Sequence, residues 1–360
     1  MISVIGGGPA GSYSAYLLAE AGYDVDIYED HNKIGLPIQC SGIVTSAIND
    51  IVKIKPELIL NKITTMRVNA QDKNFEVKLK DPDLILNRAG FDQFLADKAV
   101  EKGAGLYMGH KLIAIENQKL KFWVQGKPVF VHNSKHVVGA DGPMSIVGKH
   151  MDSRVKRFFV GSQVLAEGNF EKEIVQVFLF NKGFGWIIPE NETRARIGAM
   201  GYKDCSSRME EILSKVPNAK VIEKQGGLIP IYSPFHKTYS DNNYLIGDSA
   251  GMVKATTGGG IVQAMQAAQQ LVKSFKTKQN YETLWKQTVG KDLFAHLAVR
   301  KALDCLGDND LKKLVELTSQ EGIKTILSEH SRDKPLGFGL KLLKAEPKYA
   351  LLLKSLIYSN

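Results

Sequence analysis

Residues 1–12, MISVIGGGPAGS, run an apolar stretch from Ile2 to Ile5 straight into Gly6, Gly8 and Gly11, and a helix-forming segment follows over Ser14–Ala21. Strand, G-x-G-x-x-G spacing and helix, in that order, form the context of a dinucleotide-binding turn. Gly6 permits the tight turn and Gly8 lets backbone approach a pyrophosphate, while Gly11, next to Ala10, lets the helix pack close to the strand. The helix N-terminus adds unpaired N–H groups and the positive end of its dipole. Glycine-rich turns also arise for steric reasons alone, so position decides. The second strand, Asp24–Tyr28, ends at Glu29, where an acid accepts hydrogen bonds from a ribose hydroxyl. A glutamate there disfavours a 2′-phosphate and favours the ribose of NAD or FAD over that of NADP.

The chain has 360 residues, enough for about two or three domains. Its 44% hydrophobic and 24% charged content places it among globular rather than disordered proteins. Cys40, Cys205 and Cys305 lie far apart, with no C-x-x-C pair and no histidine cluster at ligand spacing, so neither a disulfide framework nor a metal site is expected. The first strand begins at the second residue, and no apolar run reaches the roughly 18 residues that a spanning helix needs. The expectation is a protein of the reducing cytoplasm, at most peripheral on the inner face of the cell membrane. A net charge of +9 points to an anionic partner, either an acidic ligand or an anionic lipid surface. Nucleic acid is disfavoured, because no basic stripe carries interleaved aromatics.

The pattern then changes period along the chain. Residues 62–80 read as two strands with a polar turn, and an amphipathic helix returns over Phe91–Lys102. Residues 158–232 are strand-rich, with one helix near Ser206–Val216, as in an antiparallel sheet. The parallel-strand pattern resumes at NYLIGDSAG, residues 243–251, and the chain is helical after Tyr281. The predicted fold class is α/β, with three parts. A discontinuous Rossmann-like FAD-binding domain takes 1–61, 83–157 and 236–280. An antiparallel-sheet substrate domain takes 62–82 and 158–235, and a helical C-terminal region takes 281–360.

A second ligand-facing site is implied at LIGDSAGMVKATTGGGI, residues 245–261, where a strand runs into Gly247-Asp248 and three consecutive glycines open a helix. Glycine costs about 1 kcal/mol relative to alanine within a helix turn, so the triplet needs a reason such as close approach of a flat ligand. A bare helix-entry turn is the competing account of the glycines alone.

Together GGGPAG, Glu29, GADG at 139–142 and LIGDSAG resemble the FAD-dependent oxidoreductases with the p-hydroxybenzoate hydroxylase fold. The resemblance implies FAD, with Glu29 on the adenosine ribose, Asp248 on a ribityl hydroxyl, Asp141-Gly142 as the middle motif and Arg88 near the flavin. It also implies Gly259, Gly260 and Ile261 at the N1 and C2-carbonyl edge of the ring, and Leu112 on the cofactor. GDSAGMVKATTGGGI is more specifically similar to the geranylgeranyl reductase family, whose version reads GDAAGxVKPTTGGGI; Ala255 stands at the usual proline. IGLPIQCSG, residues 34–42, resembles that family's cysteine segment, which implies that Cys40, Ser41 and Ile43 lie beside the ring. GFGWIIP, residues 183–189, resembles its substrate motif and implies Phe184, Trp186 and Pro189 on the substrate, with Ile188 in place of phenylalanine. The resemblance covers roughly residues 1–275.

These likenesses imply a polyprenyl lipid substrate, and reduction of geranylgeranyl double bonds by hydride from reduced flavin plus a proton. The proton source is open between Cys40 and other groups. No second dinucleotide fingerprint is present, so NAD(P)H and reduced ferredoxin both stand as electron donors. The strand IVQVFLF is apolar on both faces, which suits a lipid tunnel and a central buried strand equally. PLGFGLKLLKAEPKYALLLKSLIY, residues 335–358, is basic and leucine-rich, as an anionic membrane contact or an ordinary packed helix would be. An FAD-dependent monooxygenase or halogenase of an aromatic compound is the alternative enzyme. A lipid-binding protein with a vestigial flavin site is the alternative of another class.

Overall fold

A computed structural model describes residues 1–116, 119–131, 134–333, 341–342, 344–347 and 349. The chain forms two compact units, residues 1–38, 87–158 and 229–294 in one, and 39–86, 159–228 and 295–360 in the other. The stretch 335–358, read as basic and leucine-rich, lies almost wholly outside the described residues.

In the first unit six strands are ordered Tyr239–Ser240, Asn243–Leu245, His136–Gly139, Ile2–Ile5, Val25–Tyr28 and Gly105–Tyr107. All pairings are parallel except that of Tyr239–Ser240, at one edge. Ile2–Ile5 is buried along its whole length, as a central strand covered on both faces must be. It pairs with Val25–Tyr28 on one side and His136–Gly139 on the other, so the strand order reverses at its carboxyl end. Open parallel sheets bind ligands at that crevice. A three-stranded antiparallel sheet, Lys111–Glu116, Lys119–Val124 and Lys127–Val131, belongs to the same unit.

Helix Pro9–Glu20 starts earlier than its apolar period suggests, because Pro9 presets the first turn. Asn87 caps helix Arg88–Glu101 by accepting from the Gly90 N–H, which makes Arg88 its first residue.

The second unit is built on eight strands, ordered Lys220–Pro230, Phe158–Glu167, Arg194–Gly201, Gly183–Pro189, Ile174–Phe180, Ile59–Ala70, Lys73–Leu86 and Ile43–Val44. One pair departs from the antiparallel expectation: Ile174–Phe180 runs parallel to Ile59–Ala70, with Ile174 opposite Thr65 and Phe178 opposite Asn69. Met209 and Ile212 of helix Cys205–Leu213 pack on Val164, Ile187, Ala195 and Ile197. Leu311 and Val315 of helix Asp308–Thr318 pack on Val68, Phe75 and Val77. Residues 39–61 group with this sheet and not with the nucleotide-type unit, because Ile43 and Val44 pair with Ile85 and Leu84. The helices after residue 294 group with it too. No helix among the described residues is long and apolar enough to cross a membrane.

Candidate active site

The three glycines of the first turn meet different surroundings. Gly6 has a φ of +103°, and a Cβ there would collide with the carbonyl of Ala140. A Cβ on Gly11 would collide with the carbonyl of Gly6, so that glycine serves helix–strand packing. At Gly8 nothing lies within 4 Å of a Cβ, and the space outside the turn is open. Gly8 is also the N-cap of Pro9–Glu20 and no side chain caps it, which leaves helix-end N–H groups for an anion.

Glu29 holds this turn from within the protein. Its Oε2 accepts from the Gly7 N–H at 2.7 Å, and its Oε1 accepts from the His31 N–H at 3.0 Å and lies 2.6 Å from His31 Nδ1. Burial pushes the Glu29 carboxyl up, but hydrogen bonds from Asp30, Gly7 and His31 outweigh it and hold the group below the usual range. Asp30 moves the other way, raised by burial and by the neighbouring Glu29 charge.

The three glycine-bearing segments meet in space. Ala140 abuts Gly6, and a Cβ on Gly247 would sit 2.8 Å from that of Ala10. The Ile246 N–H donates to the Gly139 carbonyl at 3.0 Å, and Ser249 Oγ donates to the same oxygen at 2.6 Å. The apolar strand therefore ends at Leu245, and Gly247–Ala250 forms a single 3-10 turn that turns Asp248 away from the ladder.

Asp248 is partly buried, and its carboxylate has no hydrogen-bond partner among the described residues. Burial pushes it up to about 6, with the Arg88 charge opposing. Arg88 donates through Nε and Nη2 to the Asp92 carboxylate at 3.2 and 3.0 Å. Burial raises Asp92 as well, against the pull of Arg88.

The glycine triplet has a partly internal reason. Gly258 has a φ of +70°, and a Cβ on Gly260 would lie 3.1 Å from the Met252 carbonyl and 3.6 Å from Asp248 Oδ1. Gly260 is the N-cap of the helix Ile261–Thr277, again without a side-chain cap. Gly259 closes the loop by accepting from the Lys254 N–H at 3.0 Å.

Asp141 is committed within the protein. It accepts from Ser145 Oγ at 2.5 Å and from the Ile146 and Val147 N–H groups at 2.7 and 3.1 Å, so it caps the short helix Ile146–His150. Gly142, at a φ of +75°, has open space beside it. Leu112 is buried in the three-stranded sheet of the same unit.

The remaining candidates lie in the second unit. Cys40 is half-buried, and its Sγ accepts from the Gly42 N–H at 3.5 Å; Ser41 directly precedes that glycine. Ile43 pairs with Ile85. Phe184, Trp186 and Pro189 share the strand Gly183–Pro189, with the Phe184 and Trp186 rings 5.8 Å apart. The Pro189 carbonyl is taken by Asn61 Nδ2 at 2.9 Å. Trp186 lies on Gly198, where a Cβ would come within 2.5 Å of the indole, and it joins Ile43, Met66 and Leu79 around Ile63, Ile85, Val175 and Ile188.

Sequence reasoning missed three features of these units. His31 sets Glu29, and Asp92 holds Arg88, a pairing that the i,i+4 spacing signals. Arg196 pairs with Glu190 at 2.8 Å and donates to Gln225 Oε1 at 2.8 Å, a buried network that only strand pairing brings together.

An unpartnered carboxylate, two uncapped helix starts and an open space over Gly8 suit a diphosphate, ribityl hydroxyls and a flat ring. The fold and this cradle define an FAD-binding oxidoreductase. A model of the NAD(P)-binding Rossmann-like domain matches residues 4–43, and one of the lycopene cyclase proteins matches 188–321. A digeranylgeranylglycerophospholipid reductase of Methanothermobacter thermautotrophicus is 30% identical over 363 residues, covering 89% of this chain and 91% of that protein. The chain belongs to the digeranylgeranylglycerophospholipid reductase family of geranylgeranyl reductases. A solved geranylgeranyl bacteriochlorophyll reductase-like protein of Thermoplasma acidophilum shares the fold at a TM-score of 0.86 and 22% identity, covering 99% of this chain and 98% of that one. A flavin-dependent halogenase shares it at 0.70 and 17%, covering 97% and 76%.

Proposed function

We propose that the chain reduces C=C bonds of geranylgeranyl chains carried on glycerol ether lipids of the archaeal type. The observation that carries the cofactor half of this reading is Asp248, a carboxylate held beside Gly260 with no hydrogen-bond partner among the described residues. The substrate half rests on family membership and on the Trp186 face of the second unit, which is apolar.

Reduced FAD would supply the hydride for one alkene carbon. In this reading Gly8 and the start of Pro9–Glu20 bind the pyrophosphate, and Glu29 accepts from the adenosine ribose while keeping Gly7 in place. Asp248 accepts from a ribityl hydroxyl. The uncapped N-terminus of Ile261–Thr277 would stabilise negative charge on the flavin through its dipole. Phe184 and Trp186 wall the prenyl chain and exclude water, which an unactivated alkene needs because alignment must supply much of its rate. Cys40 Sγ is the proposed proton source for the second carbon. NAD(P)H and reduced ferredoxin remain the two proposed donors of electrons.

Mass spectrometry of ligands retained by gently purified protein tests both halves together. FAD with a polyprenyl glycerol lipid supports the proposal. Lipid without FAD turns the reading to a carrier, and FAD with an aromatic compound turns it to a monooxygenase or halogenase.

A further inference from the structure

Apart from Leu112, which the family resemblance puts on the cofactor, the three-stranded sheet Lys111–Glu116, Lys119–Val124 and Lys127–Val131 has no role in the proposed chemistry. Its inner face joins the core along the first two strands. Leu112, Leu120 and Phe122 are buried, and Phe122 stacks on Tyr28 with centroids 4.6 Å apart. Its outer face differs. Residues directly opposite across a sheet share a face, and here Lys111 faces Trp123, Trp123 faces Pro128, and Lys121 faces Phe130. Trp123 is 47% exposed and Phe130 42%, large values for aromatics on a sheet that is otherwise anchored in core. Ile113, at the bulge of the first strand, adds a third exposed apolar side chain.

Charge on these strands is one-sided. They carry Lys111, Lys119, Lys121 and Lys127 against a single acid, Glu116, which pairs with Lys121 at 3.1 Å. Lys121 Nζ also lies 5.4 Å from the Phe130 ring centroid, so cation and aromatic are presented side by side. A scattered exposed hydrophobic needs no explanation. Strand pairing, which the linear pattern does not show, sets Trp123 and Phe130 beside Lys111, Lys119 and Lys121 on one face, and this grouping matches the layered chemistry of a bilayer interface, where amphipathic rings sit at headgroup depth and ammonium groups meet phosphates.

We propose that this outer face docks on the anionic headgroup layer of a lipid bilayer, with Trp123 and Phe130 at headgroup depth and Lys119 and Lys121 against lipid phosphates. The inference goes beyond the reductase reading and does not depend on it, because binding is read without turnover.

Full-length, FAD-loaded protein is sedimented with vesicles of phosphatidylcholine alone or mixed with phosphatidylglycerol. The mixed vesicles should raise the partition coefficient about tenfold or more, with the gain lost at high salt. W123S/F130S and, separately, K119Q/K121Q should each lower it by about tenfold while leaving far-UV circular dichroism and bound FAD unchanged. Subtracting the W123F spectrum should show a blue shift of Trp123 emission on the mixed vesicles. Equal partition on the two vesicle types overturns the proposal, as does wild-type binding by both sheet variants. Loss of binding only when Lys341, Lys344, Lys348 and Lys354 become glutamine moves the contact to the C-terminal stretch and overturns it. So does a lysine variant that loses an acidic electron-transfer protein while the wild type ignores vesicles.

Discussion

Replacing Asp248 by asparagine should stabilise the FAD-free protein and weaken its hold on FAD, two effects of opposite sign from one atom change. The carboxyl is raised from its ordinary 3.8 to about 6 by burial, with no hydrogen bond among the described residues to relieve it. A raised folded-state value means that the native protein favours the protonated acid. The cost of ionising it is absent below the unfolded value and fully present above the folded one. For a shift of this size linkage gives a cost of about 1 kcal/mol near pH 4.5 and about 3 kcal/mol near pH 7.5. These are upper limits, since Asp248 retains some exposure. Asparagine carries no charge and removes the cost. Urea unfolding of FAD-free wild type and D248N, followed by emission of the buried Trp285, should show D248N gaining about 2 kcal/mol more at the higher pH. Titration with FAD at neutral pH should show about tenfold or greater weakening, from loss of a charge-assisted hydrogen bond to a ribityl hydroxyl. A stability difference independent of pH refutes the burial argument, and unchanged FAD affinity refutes the assignment of Asp248 to the cofactor.

Gly8→Ala should leave the unfolding midpoint within about 0.5 kcal/mol, because its Cβ enters open space, yet lower FAD affinity at least about tenfold. Gly11→Ala, whose Cβ collides with the Gly6 carbonyl, should lose about 1–3 kcal/mol of stability; equal behaviour of the two variants in urea unfolding and FAD titration contradicts their separate roles. Arg88→Met strips the buried Asp92 carboxylate of its partner and should cost about 3 kcal/mol of stability, while shifting the Asp248 titration further upward, both readable from unfolding across pH. Gly198→Ala pushes on the Trp186 indole and should raise KM for a prenyl lipid with FAD content unchanged; loss of FAD in parallel sinks the substrate role of Trp186.

Local periodicity made much of the first unit legible. The apolar run Ile2–Ile5 and the glycine spacing fall where a parallel strand must enter a helix, and Glu29 follows the next strand because the βαβ unit has a nearly constant length. What short-range patterns could not convey was how each polar group spends its hydrogen bonds. Asp141, a motif residue by sequence, also caps a helix, and Glu29 also holds Gly7 and His31. The glycine triplet reads as ligand contact, yet Gly258 needs its left-handed backbone and Gly260 its clearance from Met252 for the loop itself. The grouping of residues 39–61 was hidden for a different reason. Residues 39–61 join the large sheet through pairing of Ile43 with Ile85, a long-range register that no local window contains. The Arg196–Glu190–Gln225 network is of the same kind, since its members come from separate strands.

The central claim is that reduced FAD on this protein passes hydride to an isolated prenyl double bond. Anaerobic stopped-flow reoxidation of the reduced holoenzyme by digeranylgeranylglyceryl lipid, with mass analysis of the lipid, tests it most directly. Lipid-dependent return of oxidised flavin absorbance is expected, with two hydrogens gained per double bond reduced. Reduced flavin that is indifferent to prenyl lipids but is consumed by oxygen in the presence of a phenol or an indole would contradict it.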